Sequence, residues 1–123
     1  MSASKRTQRV TRLYTGDDGQ SHFADIEIDL DDRGRIGELS DRHPATGVIF
    51  RYTDGDYDYD WHNAPQRQYI VILDGGLEVE IGDGTRRVFR AGDILLAEDT
   101  EGQGHVSRAV DGQPRRSLFI TID

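Results

Sequence analysis

The chain has 123 residues, a formal net charge of -8 and no cysteine, which leaves room for one core but not two and excludes a disulfide framework or a thiolate zinc site. The surplus of carboxylates argues against nucleic acid as a partner, because phosphate binding depends on Lys and Arg. Residues 1–10 lack the apolar stretch of a secretory signal and no apolar run approaches the roughly 18 residues of a membrane span, so the expectation is a cytoplasmic single domain, residues 1–123, with no membrane partner.

Along the chain, apolar and polar residues alternate over short segments, and no stretch sustains an i, i+3, i+4 pattern over three helical turns. Strands are expected at residues 10–14, 23–30, 47–52, 58–63, 68–73, 77–81, 86–89, 94–97, 105–110 and 117–122, with about 1–9 left as a disordered or edge-strand N-terminus. Short strands at such even spacing predict an all-β sandwich or barrel. Between them lies turn chemistry: Gly16-Asp17-Asp18-Gly19, Asp54-Gly55, Asp74-Gly75-Gly76, Gly82-Asp83-Gly84, Gly92-Asp93 and Asp111-Gly112. In the sharpest hairpin Leu77, Val79 and Ile81 share one face and Glu78 and Glu80 the other, a solvated outer face rather than a catalytic carboxylate pair. Residues 31–44 show no period and read as a loop with at most a helical turn. His22 and His43 read as surface histidines.

Three segments set polar residues inside otherwise apolar strands: Asp60-Trp61-His62-Asn63, Arg67-Gln68-Tyr69 and Gly102-Gln103-Gly104-His105. Gly55, Gln68 and Gly75 keep the spacing of a glycine, five residues, His-x-His, four residues, a glutamate, six residues and a glycine. Gly92, the apolar run after it, and the segment from Thr100 to His105 follow a glycine, a short strand and Pro-x-Gly-x-x-His, with Thr100 in the proline position. In these motifs, over roughly residues 47–122, the chain resembles the cupin superfamily. The resemblance implies a double-stranded β-helix, the cupin-type jelly-roll barrel, and a homodimer. It departs from the family at Gln68, where a glutamate is usual. Strict counting also puts the motif histidines at Trp61 and Asn63. Along a regular strand His62 would then face away from the barrel interior, and a one-residue bulge would turn it back.

Imidazole nitrogens and oxygen donors converging from different strands suit a divalent transition metal, Zn, Fe, Mn or Ni. His62, Gln68 and His105 are the expected ligands, and Asp60, two residues before His62, is a further donor on the same strand face. Such a centre acts as a Lewis acid, with His105, His62 or Tyr69 moving a proton. A histidine-poor shell fits an isomerase, epimerase or lyase better than an oxygenase. Trp61 and Tyr57 are candidate substrate walls, and Arg51 and Arg67 are candidate clamps for a substrate carboxylate. Each has a plainer alternative: barrel packing for the aromatics, surface ion pairs for the arginines, a structural hydrogen bond for His62. Two other functions stay open: a metal-free module that senses a small ligand, and a metal-free acid/base enzyme relying on one histidine.

Overall fold

The structure, a computed structural model, describes residues 6–123. Its strands are β1 (Thr7–Thr15), β2 (Ser21–Asp29), β3 (Asp31–Asp32), β4 (Glu38–Leu39), β5 (Gly47–Thr53), β6 (Asp58–His62), β7 (Gln68–Asp74), β8 (Gly76–Glu80), β9 (Arg86–Arg90), β10 (Ile94–Glu98), β11 (His105–Ala109) and β12 (Arg115–Thr121). A six-stranded sheet runs in the order β2-β1-β10-β7-β12-β5 and a four-stranded sheet in the order β6-β11-β8-β9. From β5 onward the chain crosses from one sheet to the other at nearly every connection, with only the β8–β9 hairpin staying in its sheet. That alternation is the jelly roll, and the double-stranded β-helix expected above is the observed architecture.

The period-2 pattern places the core. On β7 Gln68, Ile70 and Ile72 are buried while their neighbours are more exposed, and on β12 Arg115, Ser117, Phe119 and Thr121 alternate in the same way. Facing them, Leu77 and Val79 of β8 and Phe89 of β9 complete a cluster with Leu13, Leu95 and Ala97. Glu78 and Glu80 point the other way and pair with Arg108. The buried row of β7 and β12 carries polar residues, Gln68, Ser117 and Arg115, where a purely structural sandwich would carry apolar ones.

Two expectations change. The first strand begins at Thr7, because Thr7 to Thr15 pairs in full with β2. Residues 7–9 are thus paired on one side by β2, and residues 1–5 of the expected N-terminal segment lie outside the described residues. The 31–44 loop contains a miniature hairpin, β3 with β4, around a 3-10 turn at Gly34–Ile36. Among the described residues no helix is long and apolar enough to cross a membrane.

Leu13 is fully buried at the centre of the cluster. Leu13→Ala is expected to cost about 2–5 kcal/mol, read as a lower urea midpoint with an unchanged m-value. A loss below about 1 kcal/mol would show that the core does not close over β1.

Candidate functional site

Between the sheets lies a chamber of about 330 Å³. Its body is apolar, formed by Ile49, Ile70, Leu77 and Phe119, and its polar groups come from strands of both sheets. His62 stands on β6 and His105 on β11, with ring centroids 4.5 Å apart.

His62 reaches the chamber because β6 is irregular. His105 pairs with His62 and Ser107 with Tyr59, so one residue of β11 faces two of β6. This extra residue is a β-bulge. It returns His62 to the side occupied by Tyr59, whose ring stacks on the imidazole at 3.8 Å between centroids. Gly104 is what lets the strands approach: it has φ +77°, and a Cβ there would collide with the His62 carbonyl. The Nδ1–H of His62 donates to the Asp60 carbonyl at 2.7 Å, leaving Nε2 as an acceptor. Burial pushes the His62 imidazole below its ordinary value of 6.5, against the raising effect of the Asp60 carbonyl.

His105 is held from behind. Its Nδ1 lies 2.6 Å from Oδ2 of Asp99, which also accepts from Ser21 Oγ at 2.7 Å. Asp99 is fully buried, and its carbonyl receives the Ala64 N–H. A carboxylate only accepts, so Nδ1 of His105 carries the hydrogen and Nε2 is the free nitrogen. In the neutral form of each ring, Nε2 is thus the nitrogen without a hydrogen, and both residues line one chamber.

Of the residues singled out from sequence, His62, His105, Gln68, Tyr57 and Arg51 line the chamber. Four do not. Tyr69 lies on the opposite face of β7 from Gln68 and borders an outer groove of about 640 Å³ with Ile28 and Ile120, so it is not placed to move a proton in the chamber. Asp60 is exposed, because the bulge breaks the same-face relation with His62. Trp61, in the same bulge, is 39% exposed and does not line the chamber. Arg67 faces outward and joins Arg12 in gripping Glu98. Desolvation opposes ionisation of that carboxyl, but the hydrogen bonds from Arg12 and Arg67 prevail and hold it below its usual range. Three participants escaped the sequence reading: Asp99, Ser21 and Arg115. Asp99 and Arg115 looked like two more members of a chain rich in both residues. The i−6 spacing of Asp99 from His105 matches no simple strand period.

For a divalent metal the chamber offers two imidazoles and the neutral amide of Gln68. Among the described residues no carboxylate lines it, and the guanidiniums of Arg51 and Arg115 share it. Among the described residues no group of three or more His, Cys, Asp or Glu stands together as a metal-holding cluster. Two fixed positive charges without an anionic ligand do not fit a dication.

No family model and no curated protein matches the chain. Solved structures do. A conserved protein of unknown function from Streptococcus pyogenes is 17% identical with a TM-score of 0.50, over 67% of this chain and 68% of its own. A protein from Neisseria meningitidis is 20% identical with a TM-score of 0.49, over 68% and 78%. A DUF861 family protein from Thermotoga maritima is 18% identical with a TM-score of 0.46, over 62% and 77%. The fold is a small cupin-type barrel. At these identities the likeness reaches the cupin fold and stops short of activity.

The lowered pKa of His62 has a thermodynamic sign. The unfolded chain takes up this proton at higher pH than the folded protein, so the folded state is favoured in full above about 6.5 and loses that advantage as pH falls below it. Stability should therefore decline as pH falls below about 6.5, and His62→Gln should flatten that part of the curve. An imidazole midpoint for His62 above 6.5 by NMR would contradict the sign.

Proposed function

We propose that this cupin is a proton-transfer enzyme of the isomerase, epimerase or lyase kind, acting on a small molecule in the chamber with His105 as its base. The observation that carries the reading is the buried hydrogen bond from His105 Nδ1 to Asp99 at 2.6 Å. A carboxylate behind the imidazole fixes the tautomer, orients the ring and stabilises the imidazolium that forms on proton uptake. Nε2 takes a proton from a carbon beside a carbonyl, and the electron pair moves onto the carbonyl oxygen. Where the deprotonated carbon bears a hydroxyl, its O–H proton moves to the enolate oxygen, the former carbonyl carbon takes up the proton from the base, and the hydroxyl-bearing carbon becomes the new carbonyl; alternatively the enolate re-forms its carbonyl and expels a leaving group from the next carbon along. His62 Nε2 stands on the same side and can pass the proton on. Two imidazoles on one side suit transfer across one face of the substrate, which favours isomerase or lyase chemistry over an epimerase that needs bases on opposite faces. No step requires a metal, in keeping with the charges around the chamber.

A ligand-sensing module without chemistry is the second reading. It is supported by the absence of histidine at the positions of Trp61 and Asn63. Exchange of substrate C–H for deuterium separates the two. Small 2-oxo acids, hydroxy acids and neutral ketones are incubated in D2O with the purified protein and followed by proton NMR, with metal content measured in parallel. Catalysed exchange is expected in at least one compound, falling by about 10²–10⁴-fold in His105→Ala. Asp99→Asn should also reduce it and shift its pH profile. Exchange untouched by either substitution would remove His105 as the base, and saturable binding with no exchange would favour the module.

We also propose a homodimer. The outer face of β5, an edge of the larger sheet, exposes Val48 (53%), Phe50 (82%) and Tyr52 (63%). An open edge pairs in antiparallel register with a second copy of itself, and a two-fold dimer places this stripe against its own copy. Light scattering should give twice the chain mass for the native protein and the single mass for Phe50→Glu; a native monomer at micromolar concentration would end the proposal.

A further inference from the structure

Most arginines of this chain that the structure describes are paired. Nine of them, among them Arg12, Arg67, Arg87 and Arg108, stand within 4.0 Å of a carboxylate. Arg115 is the most buried, at 3% exposure, yet no carboxylate of the described residues lies within that distance. Among the described residues its guanidinium makes two long hydrogen bonds of 3.4 Å, from Nη1 to the Gly76 carbonyl and from Nη2 to Thr53 Oγ1. Its Nε is buried without a partner.

A guanidinium withdrawn from water without a counter-charge is strongly unfavourable. Proteins retain such groups where a ligand supplies the missing charge. Arg51, also free of carboxylates among the described residues, lines the same chamber and adds to the cost; both guanidiniums lie over the ring of Tyr57, at 5.4 and 5.5 Å, which offsets part of it. Two residues along β12, on the same face, Ser117 Oγ is also buried without a partner. Desolvation, followed by the charge of Arg51, lowers the pKa of Arg115.

We infer that the Arg115–Arg51 end of the chamber is an anion subsite that takes the carboxylate of a small organic acid with an apolar body. The inference deepens the proton-transfer reading and rests on it for the identity of the chamber as the ligand site. A planar carboxylate matches the two-pronged guanidinium edge. A guanidinium grips phosphate in the same two-pronged way, but a phosphate dianion carries more charge into this largely apolar chamber than a monoanionic carboxylate does. The apolar walls fit the body of the acid, while His105 lies in the same chamber with its free nitrogen toward the reacting carbon. The carboxylate is the handle and the adjacent carbons are the reacting part.

Benzoate, its neutral counterpart benzamide and inorganic phosphate are the probes, titrated against the native protein by calorimetry and by NMR of the His62 and His105 ring protons. Benzoate should bind saturably and at least about tenfold more tightly than either benzamide or phosphate. Arg115→Met should lose that preference and, by removing an uncompensated buried charge, raise the thermal midpoint of the free protein by a few degrees. Arg51→Met should weaken benzoate with less effect on the midpoint. Equal binding of benzoate and benzamide, tighter binding of phosphate, undiminished benzoate affinity in Arg115→Met, or a lowered midpoint in that variant would each overturn the inference. Arg115-dependent benzoate binding without any C–H exchange would leave the subsite standing and remove the enzyme reading. Exchange confined to neutral ketones, with no benzoate binding, would do the reverse.

Discussion

The carboxylate of Asp99 is the fixed point on which the working end of this barrel depends. It is fully buried, and its oxygen accepts from Ser21 at the start of β2 and from His105 at the start of β11, while its own carbonyl holds the loop after β6 through Ala64. Three chain segments distant in sequence therefore meet on one residue. The loop it opens is gripped again by Thr15 on the Glu101 carbonyl, by Gln103 on Gly19, and by Asn63 on Gly102. Both side-chain donors fall on Oδ2, while Oδ1 is buried without a partner among the described residues, so the carboxylate is only half satisfied and losing either donor would leave more of its charge uncompensated. The same bonds that offset the burial of Asp99 fix the direction of the His105 ring, so folding and site geometry draw on one set of contacts.

The bulge in β6 is the second constraint. A regular strand has period 2, and a single added residue reverses the facing of everything on one side of it. Here that reversal brings His62 and Tyr59 to the same face and sends Trp61 and Asp60 to the exposed side. Gly104 makes the exchange possible by admitting the His62 backbone where a side chain would collide. One bulge and one glycine decide which of four adjacent polar or aromatic residues can meet a ligand.

This explains what the sequence made legible and what it did not. The ten principal strands could be read because alternation and glycine-rich turns are local signals. His105 and Gln68 could be read because each sits in a spaced motif whose turns are also local. Asp60 and Trp61 were misplaced because facing was counted along a regular strand, and a bulge leaves no mark in composition; Tyr69 was chosen for its nearness in sequence, although the regular alternation of β7 puts it on the opposite face from Gln68. Arg67 and Arg115 show the limit from the other side. Both are arginines near strand ends, and only the three-dimensional arrangement gives one a glutamate and the other an apolar chamber. Asp99 was hidden among 17 aspartates, since what distinguishes it is burial, a property of packing rather than of local pattern.

The distribution of charge joins these strands of argument. The chain carries 23 acidic and 15 basic residues, so its exterior repels anions at long range, within the screening length of about 8 Å at physiological salt. The chamber has the opposite character: two guanidiniums without carboxylates, two imidazoles with free Nε2 atoms, and one carboxylate tied up behind His105. Screening protects a ligand anion from the outer charges, whereas the low-dielectric interior strengthens its attraction to Arg115. A cation meets the reverse balance. Gln68 follows the same logic: a carboxylate at that position would bring a negative charge into the chamber, and the neutral amide does not.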